Sequence, residues 1–147
     1  MKGLLTSAPI LKYPNFDQPF ILHTDASNRG LGAVLAQKGE HGLEHVVAYA
    51  SRSLNKAERN YSVTEMECLA VVWAVKTFRV YLYGKEFELV TDHAALKWLL
   101  NISEPHGRTA RWVVQLQEYQ FRVMYRKGVA HQNADALSRI PQPLIVH

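Results

Sequence analysis

Aspartate is scarce in this chain of 147 residues, which holds only Asp17, Asp25, Asp92 and Asp135. Asp25, Asp92 and Asp135 fall at the edges of apolar stretches, where chemistry tends to be placed. A further acid, Glu67, stands inside the apolar run Thr64–Leu82. On a helical wheel of ~100° per residue, Glu67 shares its face with Val63, Ala70, Val71, Ala74 and Phe78. Glu65 points the other way, toward Lys76 and Arg79. A carboxylate on an apolar stripe is costly unless a cation or hydrogen bonds compensate it. Brought together, Asp25, Glu67, Asp92 and Asp135 would offer oxygen ligands only, a set that selects Mg²⁺ or Mn²⁺ over zinc. Two such ions ~4 Å apart can activate a water and stabilise the leaving oxygen of a phosphodiester. Structural readings stand beside this one: Asp25 as a turn residue, Asp92 as a helix cap, Asp135 as a complement to a helix amino end. Glu67 is the hardest to explain that way, because an apolar face rarely tolerates an unpaired acid.

The elements that must position these acids read as β-β-β-α-β-α-α-β-α, a mixed sheet with helices on its faces. Strands are predicted at Phe20–Asp25, Gly30–Gln37, Glu44–Ser51, Glu86–Thr91 and Gln120–Tyr125, with a hairpin tip at Lys38–Gly42. The main helix is expected over Thr64–Leu82, capped by Ser62 or Thr64 and ended by Gly84. Further helices are expected at His93–Leu100, capped by Asp92, at Arg108–Tyr119, and at Ala130–Ile140 before Pro141. If the first and fourth strands are parallel neighbours, Asp25 and Asp92 emerge at one carboxyl edge, where open α/β sheets bind ligands. Trp73, Trp98 and Trp112 read as core residues. Residues 1–19 carry Pro9, Pro14 and Pro19 and read as an extended lead-in, 20–140 as one domain, and 141–147 as a tail.

Composition narrows the function classes. With 48% hydrophobic, 20% charged and 10% aromatic residues, the chain can bury a sizeable core. Its single cysteine, Cys68, excludes a disulfide framework and a Cys-based zinc cluster, and fits a reducing compartment. No apolar run reaches the ~20 residues that span a bilayer, so no membrane partner is expected, and the amino terminus does not read as a secretory signal. The net charge is +4. Setting the four candidate acids aside leaves 17 Lys and Arg against nine acids, a surplus of eight that suits a polyanionic partner.

Three blocks occur in order: HTDASNRGLGAVLAQ, then the stretch holding TEMECLA and VTDHAAL, then RWVVQLQEYQF continuing to NADALSR. Together they closely resemble the ribonuclease H domain of gypsy-type LTR-retrotransposon reverse transcriptases, over about residues 5–140. The resemblance implies an α/β ribonuclease H-like fold, a five-stranded mixed β-sheet flanked by α-helices. It also implies metal-dependent hydrolysis, with two Mg²⁺ or Mn²⁺ ions, of the RNA strand of RNA–DNA hybrids. Carried over by motif, Asp25, Glu67, Asp92 and Asp135 match the family's metal-binding quartet. The wheel independently prefers Glu67 to Glu65.

Where relatives place a loop histidine about ten residues before the last aspartate, this chain has Tyr125; His131 is the other candidate for an auxiliary role. The basic protruding helix of many cellular enzymes is missing between the second and third helices, so weak intrinsic affinity for substrate is expected. Polymerase and connection domains of the same polyprotein are the implied partners, and the lead-in looks like the tail of that connection segment. Met1 is then expected to be an engineered or domesticated start. Arg52, Arg108, Arg111 and Arg126 are candidates for a phosphate track, and Ser27 for reading the RNA 2′-OH in a wide minor groove. The implied location is a cytoplasmic retrotransposon particle, or the nucleus for a domesticated copy. Two other readings remain: a binding or assembly module without useful turnover, and an integrase or transposase core. The middle-helix Glu67 and the NADALSR ending argue against the last.

Overall fold

A computed structural model of the chain describes residues 10–124. Three β-rich segments come first and form an antiparallel meander: β1 (Ile21–Ala26), β2 (Gly30–Lys38) and β3 (Glu44–Ser53). The β1–β2 turn is closed by the Ser27 N–H donating to the Gly30 carbonyl at 2.9 Å. Gly30 is required there, because a Cβ would lie 2.4 Å from the Arg52 carbonyl oxygen on the neighbouring strand. After the helical segment, β4 (Glu86–Val90) joins β1 in parallel and β5 (Gln120–Val123) joins β4 in parallel. The sheet order is β3-β2-β1-β4-β5, the expected five-stranded mixed sheet.

The helices are α1 (Val63–Thr77), α2 (Arg79–Leu82), α3 (His93–Leu100) and α4 (Arg108–Leu116). α1 packs on β1 and β2 and is flanked by α3 and α4. Its apolar stripe meets Phe20, Leu22 and Leu35 of the sheet in a core completed by Phe87, Leu89 and Leu96. Ser62 caps α1 and forms a full capping box with Glu65. Val63 is 75% exposed, so the stripe that buries Ala70, Val71, Ala74 and Phe78 begins only after the helix's first residue.

Three expectations are corrected. The main helix does not run unbroken to Leu82, since Phe78 leaves helical geometry at φ −103°, ψ 27°. The hydroxyl of Thr77 donates back to the Trp73 carbonyl at 2.9 Å, the kind of bond that bends a helix, and Phe78 is buried at the break. The third helix ends at Leu116 instead of Tyr119, because the chain turns there and buries the Tyr119 ring in the core. Finally, Trp73 and Trp112 are core residues but Trp98 is 42% exposed. It lies roughly 100° round α3 from the middle of the buried stripe of Ala95, Leu96 and Leu99.

The proline-bearing residues 10–19 are irregular but firmly docked. Ile10 bridges Ala48 on the β3 edge, and the Leu11 N–H donates to the Val47 carbonyl at 2.7 Å. Gln37, fully buried on β2, accepts from the Asn15 N–H and donates to the Asn15 and Gln18 carbonyls at 2.7 and 3.0 Å. Phe16 stacks on Tyr81 with ring centres 6.0 Å apart. The predicted last helix, with Asp135 and His131, lies outside the described residues, as do Tyr125 and Arg126.

Candidate active site

The parallel pairing of β1 with β4 matches Ile21 to Glu88, Leu22 to Leu89 and His23 to Val90. One further step sets Thr24 beside Thr91, and their hydroxyls are hydrogen-bonded at 2.6 Å. Asp25 and Asp92 each follow directly on one member of that pair, so both acids stand at the carboxyl edge of the parallel strands β1 and β4. The Thr24–Thr91 pair pins the two strand ends together directly beneath them. Nothing in the sequence flags it, because a threonine at a strand end is ordinary.

Asp92 also caps α3, its Oδ1 accepting the Ala95 N–H at 2.9 Å. The structural reading of this residue is therefore true, and it leaves the second carboxylate oxygen outside the cap bond. The Cys68 thiol donates to the Ala95 carbonyl at 3.3 Å, hanging the first turn of α3 on α1 one residue from Glu67. Burial, reinforced by the charges of Asp92 and Glu67, pushes that thiol up to about 12, so it stays a neutral donor and not a nucleophile.

Glu67 is half-buried on the flank of α1 that faces this edge. Burial first, then the charges of Asp25 and Asp92, push its carboxyl up to about 7. Asp25 is also raised by loss of hydration, against a backbone hydrogen bond from Ala26 that favours its charged form. Glu67 thus feels both aspartates through space. Among the described residues, no three His, Cys, Asp or Glu side chains gather tightly enough to enclose one ion. Asp25, Glu67 and Asp92 are a looser set, with Glu67 in the field of the two aspartates. Their chemistry still fits hard divalent cations, because every donor is a carboxylate oxygen and positive charge would relieve their repulsion.

The predicted phosphate track is only partly available. Arg52 grips both oxygens of Glu58, at 2.7 and 2.9 Å. Glu58 is 8% exposed and also accepts the Asn55 N–H, so the guanidinium compensates a buried acid and holds its carboxyl below the usual range. Arg108 donates from Nη2 to Glu65 at 2.8 Å and lies over the Tyr61 ring at 4.1 Å. Glu65 is therefore neutralised by Arg108, and not by Lys76 or Arg79 as the wheel implied. Arg111 is exposed on α4. Ser27 Oγ accepts the Arg29 N–H at 3.2 Å within the turn, and its own O–H can still donate.

Among the described residues, no helix is long and apolar enough to cross a membrane. Residues 15–119 match the model of the RNase H-like domain found in reverse transcriptase. The chain is 51% identical over 140 residues to the retrovirus-related Pol polyprotein from transposon 297 of Drosophila melanogaster, covering 95% of this chain and 13% of that polyprotein. Identity to the Pol polyprotein from transposon opus of the same species is 43%, with 98% and 14% covered. The Tf2-3 polyprotein of Schizosaccharomyces pombe is 42% identical, with 95% and 11% covered. The chain thus spans about an eighth of the length of these curated relatives.

Among solved structures, the foamy viral protease-reverse transcriptase in complex with dsDNA superposes with TM-score 0.61 at 20% identity, over 80% of this chain and 25% of that one. The solution structure of the PFV RNase H domain gives TM-score 0.52 at 17% identity, over 87% and 92%. By its matched residues and its sheet order, this chain belongs to the RNase H-like domains found in reverse transcriptase.

Proposed function

We propose that this domain hydrolyses the RNA strand of RNA–DNA hybrids during reverse transcription of an LTR retrotransposon, in a cytoplasmic particle. The observation that carries the reading is that Asp25 and Asp92 follow directly on the hydrogen-bonded Thr24–Thr91 pair at the end of the parallel strands β1 and β4, with Glu67 feeling both charges from α1. The similar Pol polyproteins support it, and the foamy viral protease-reverse transcriptase is known in complex with an RNA/DNA hybrid.

Asp25, Glu67 and Asp92, joined by Asp135 from outside the described residues, would hold Mg²⁺ or Mn²⁺. When bound, such ions lower the pKa of an attacking water and neutralise charge on the phosphodiester. The protein's own work is placement. The Thr24–Thr91 pair fixes two acids side by side, and Cys68 fixes the third relative to α3. Ser27, at the hairpin tip beyond Asp25, is placed to offer a hydroxyl to the RNA 2′-OH. With Arg52 and Arg108 engaged by acids, only Arg111 of the predicted track stands exposed among the described residues, and the polymerase and connection domains of the polyprotein supply much of the grip.

Incubation of a labelled hybrid with Mg²⁺, beside duplex RNA and duplex DNA, tests the reading. RNA in the hybrid should be cut and both duplexes spared. Cleavage of duplex DNA at an equal rate would favour an integrase-type core, and no cleavage of any substrate would favour a binding module.

A further inference from the structure

We propose that Arg108 is a positioning residue that locks the amino end of α1 against α4 and so sets where Glu67 stands, instead of contacting the substrate. This rests on the reading of Glu67 as a site acid. Arg108 is the first residue of α4, and the preceding Gly107 adopts φ +66°, a left-handed conformation that redirects the chain into the helix. A cation in a helix's first turn opposes the helix dipole, so its placement needs an outside partner. Glu65 is that partner, at 2.8 Å. The same Glu65 reaches back to the Ser62 N–H at 2.9 Å, while Ser62 Oγ accepts the Glu65 N–H at 3.1 Å. One carboxylate therefore closes the cap of α1 and ties that cap to α4.

Tyr61, the residue before the cap, adds a second tether. The Arg108 guanidinium lies 4.1 Å from its ring centre, and Trp112, one turn further along α4, stands 6.0 Å from it. The Arg108 Nε is buried without a hydrogen-bond partner. With one donor unused and its carbon seated over the tyrosine ring, the guanidinium is ill suited to a forked grip on phosphate. Glu65 and Glu67 lie ~200° apart around α1. Fixing one flank of this rigid turn to α4 consequently fixes the opposite flank, with Glu67, toward the β1–β4 edge. A displacement of about 1 Å at a reacting centre can cost up to a hundredfold in rate.

The test is a double-mutant cycle of Arg108→Ala and Glu65→Ala, with Arg108→Lys as the folded, charge-keeping alternative. Single-turnover cleavage, hybrid affinity without divalent metal across a salt series, and amide hydrogen exchange at Met66–Leu69 are read in each. Each alanine variant should cut about tenfold more slowly, and the double variant no more slowly than the worse single. Arg108→Lys should fall with Arg108→Ala, since it keeps the charge but loses the guanidinium seated over the Tyr61 ring. Hybrid affinity and its salt slope should match wild type, and exchange at Met66–Leu69 should quicken.

The proposal is overturned if Arg108→Ala weakens hybrid binding and lowers the salt slope by about one while maximal cleavage holds, which marks a phosphate contact. It is equally overturned if the two losses multiply, or if exchange at Met66–Leu69 is unchanged. Should wild type itself cut no hybrid, the proposed activity fails, whereas the affinity and exchange readouts still decide the role of Arg108.

Discussion

Glu65 and Glu67 are separated by one residue on α1 and experience opposite electrostatics. On the α4 flank, the Ser62 cap and the Arg108 guanidinium hold the Glu65 carboxyl below its ordinary range. On the β1–β4 flank, burial and two neighbouring acids push Glu67 up to about 7. The helix, its propensity and the residue chemistry are shared, so the difference comes entirely from what each flank faces. One flank is a finished structural joint. The other gathers acids whose burial and charge disfavour an ionised Glu67, and such an imbalance marks a place for function.

The sharpest way to break this comparison is kinetic. Glu67→Gln, Asp25→Asn and Asp92→Asn should each lower hybrid cleavage by at least ~10²-fold in single-turnover assays with Mg²⁺. Glu65→Gln should cost far less, no more than about tenfold, because its one amide oxygen keeps the Ser62 N–H bond of the capping box even though no second oxygen is left to accept from Arg108. The reverse ranking would show that the helix presents its flanks the other way round.

Next in size is the response to metal and pH. A cation that binds only the folded acids stabilises the domain by about 2.7 kcal/mol at a hundredfold excess over its dissociation constant. For a domain of this length that is a rise in Tm on the order of 5–10 °C. In EDTA the two glutamates should show opposite signatures. Glu67, raised from 4.5 to about 7, favours folding while protonated, so its contribution is present below pH 4.5 and is lost as pH rises through about 7. Glu65, lowered, contributes above its ordinary value and loses that contribution as pH falls through its depressed one. Glu67→Gln should therefore raise the metal-free Tm at pH 8, leave it nearly unchanged at pH 4, and shrink the magnesium shift. A Glu67→Gln variant that melts lower in EDTA at pH 8 and keeps the full magnesium shift would mean that the carboxyl is merely structural.

A smaller effect separates structural arginines from substrate-facing ones. Arg52→Ala strands the buried Glu58 carboxylate and should cost about 2 kcal/mol of stability by chemical denaturation, with little change in hybrid affinity. The exposed Arg111 should behave inversely. Arg111→Ala should leave the denaturation midpoint in place, weaken binding a few-fold and reduce the salt slope by about one. If Arg52→Ala instead leaves stability intact and weakens binding, the ion pair with Glu58 is incidental and the phosphate track extends to Arg52.

Local pattern carried much of this molecule. Alternation and turn residues predict five strands, and strand-end position singles out Asp25 and Asp92. A 3.6-residue period is enough to distinguish Glu67 from Glu65, because the phase of a helix is a property of spacing alone. The motifs HTDAS, TEMECLA and VTDHAAL carry the family. The arginines were not legible in this way. Arg52, Arg108 and Arg111 look alike in sequence, and which becomes an ion-pair partner depends on acids six or 43 residues away that only folding brings near. The exposure of Trp98, the break at Phe78 and the docking of residues 10–19 through Gln37 are of the same kind. Each is decided by contacts between elements, where burial and hydrogen-bond satisfaction outweigh the propensity of any single segment.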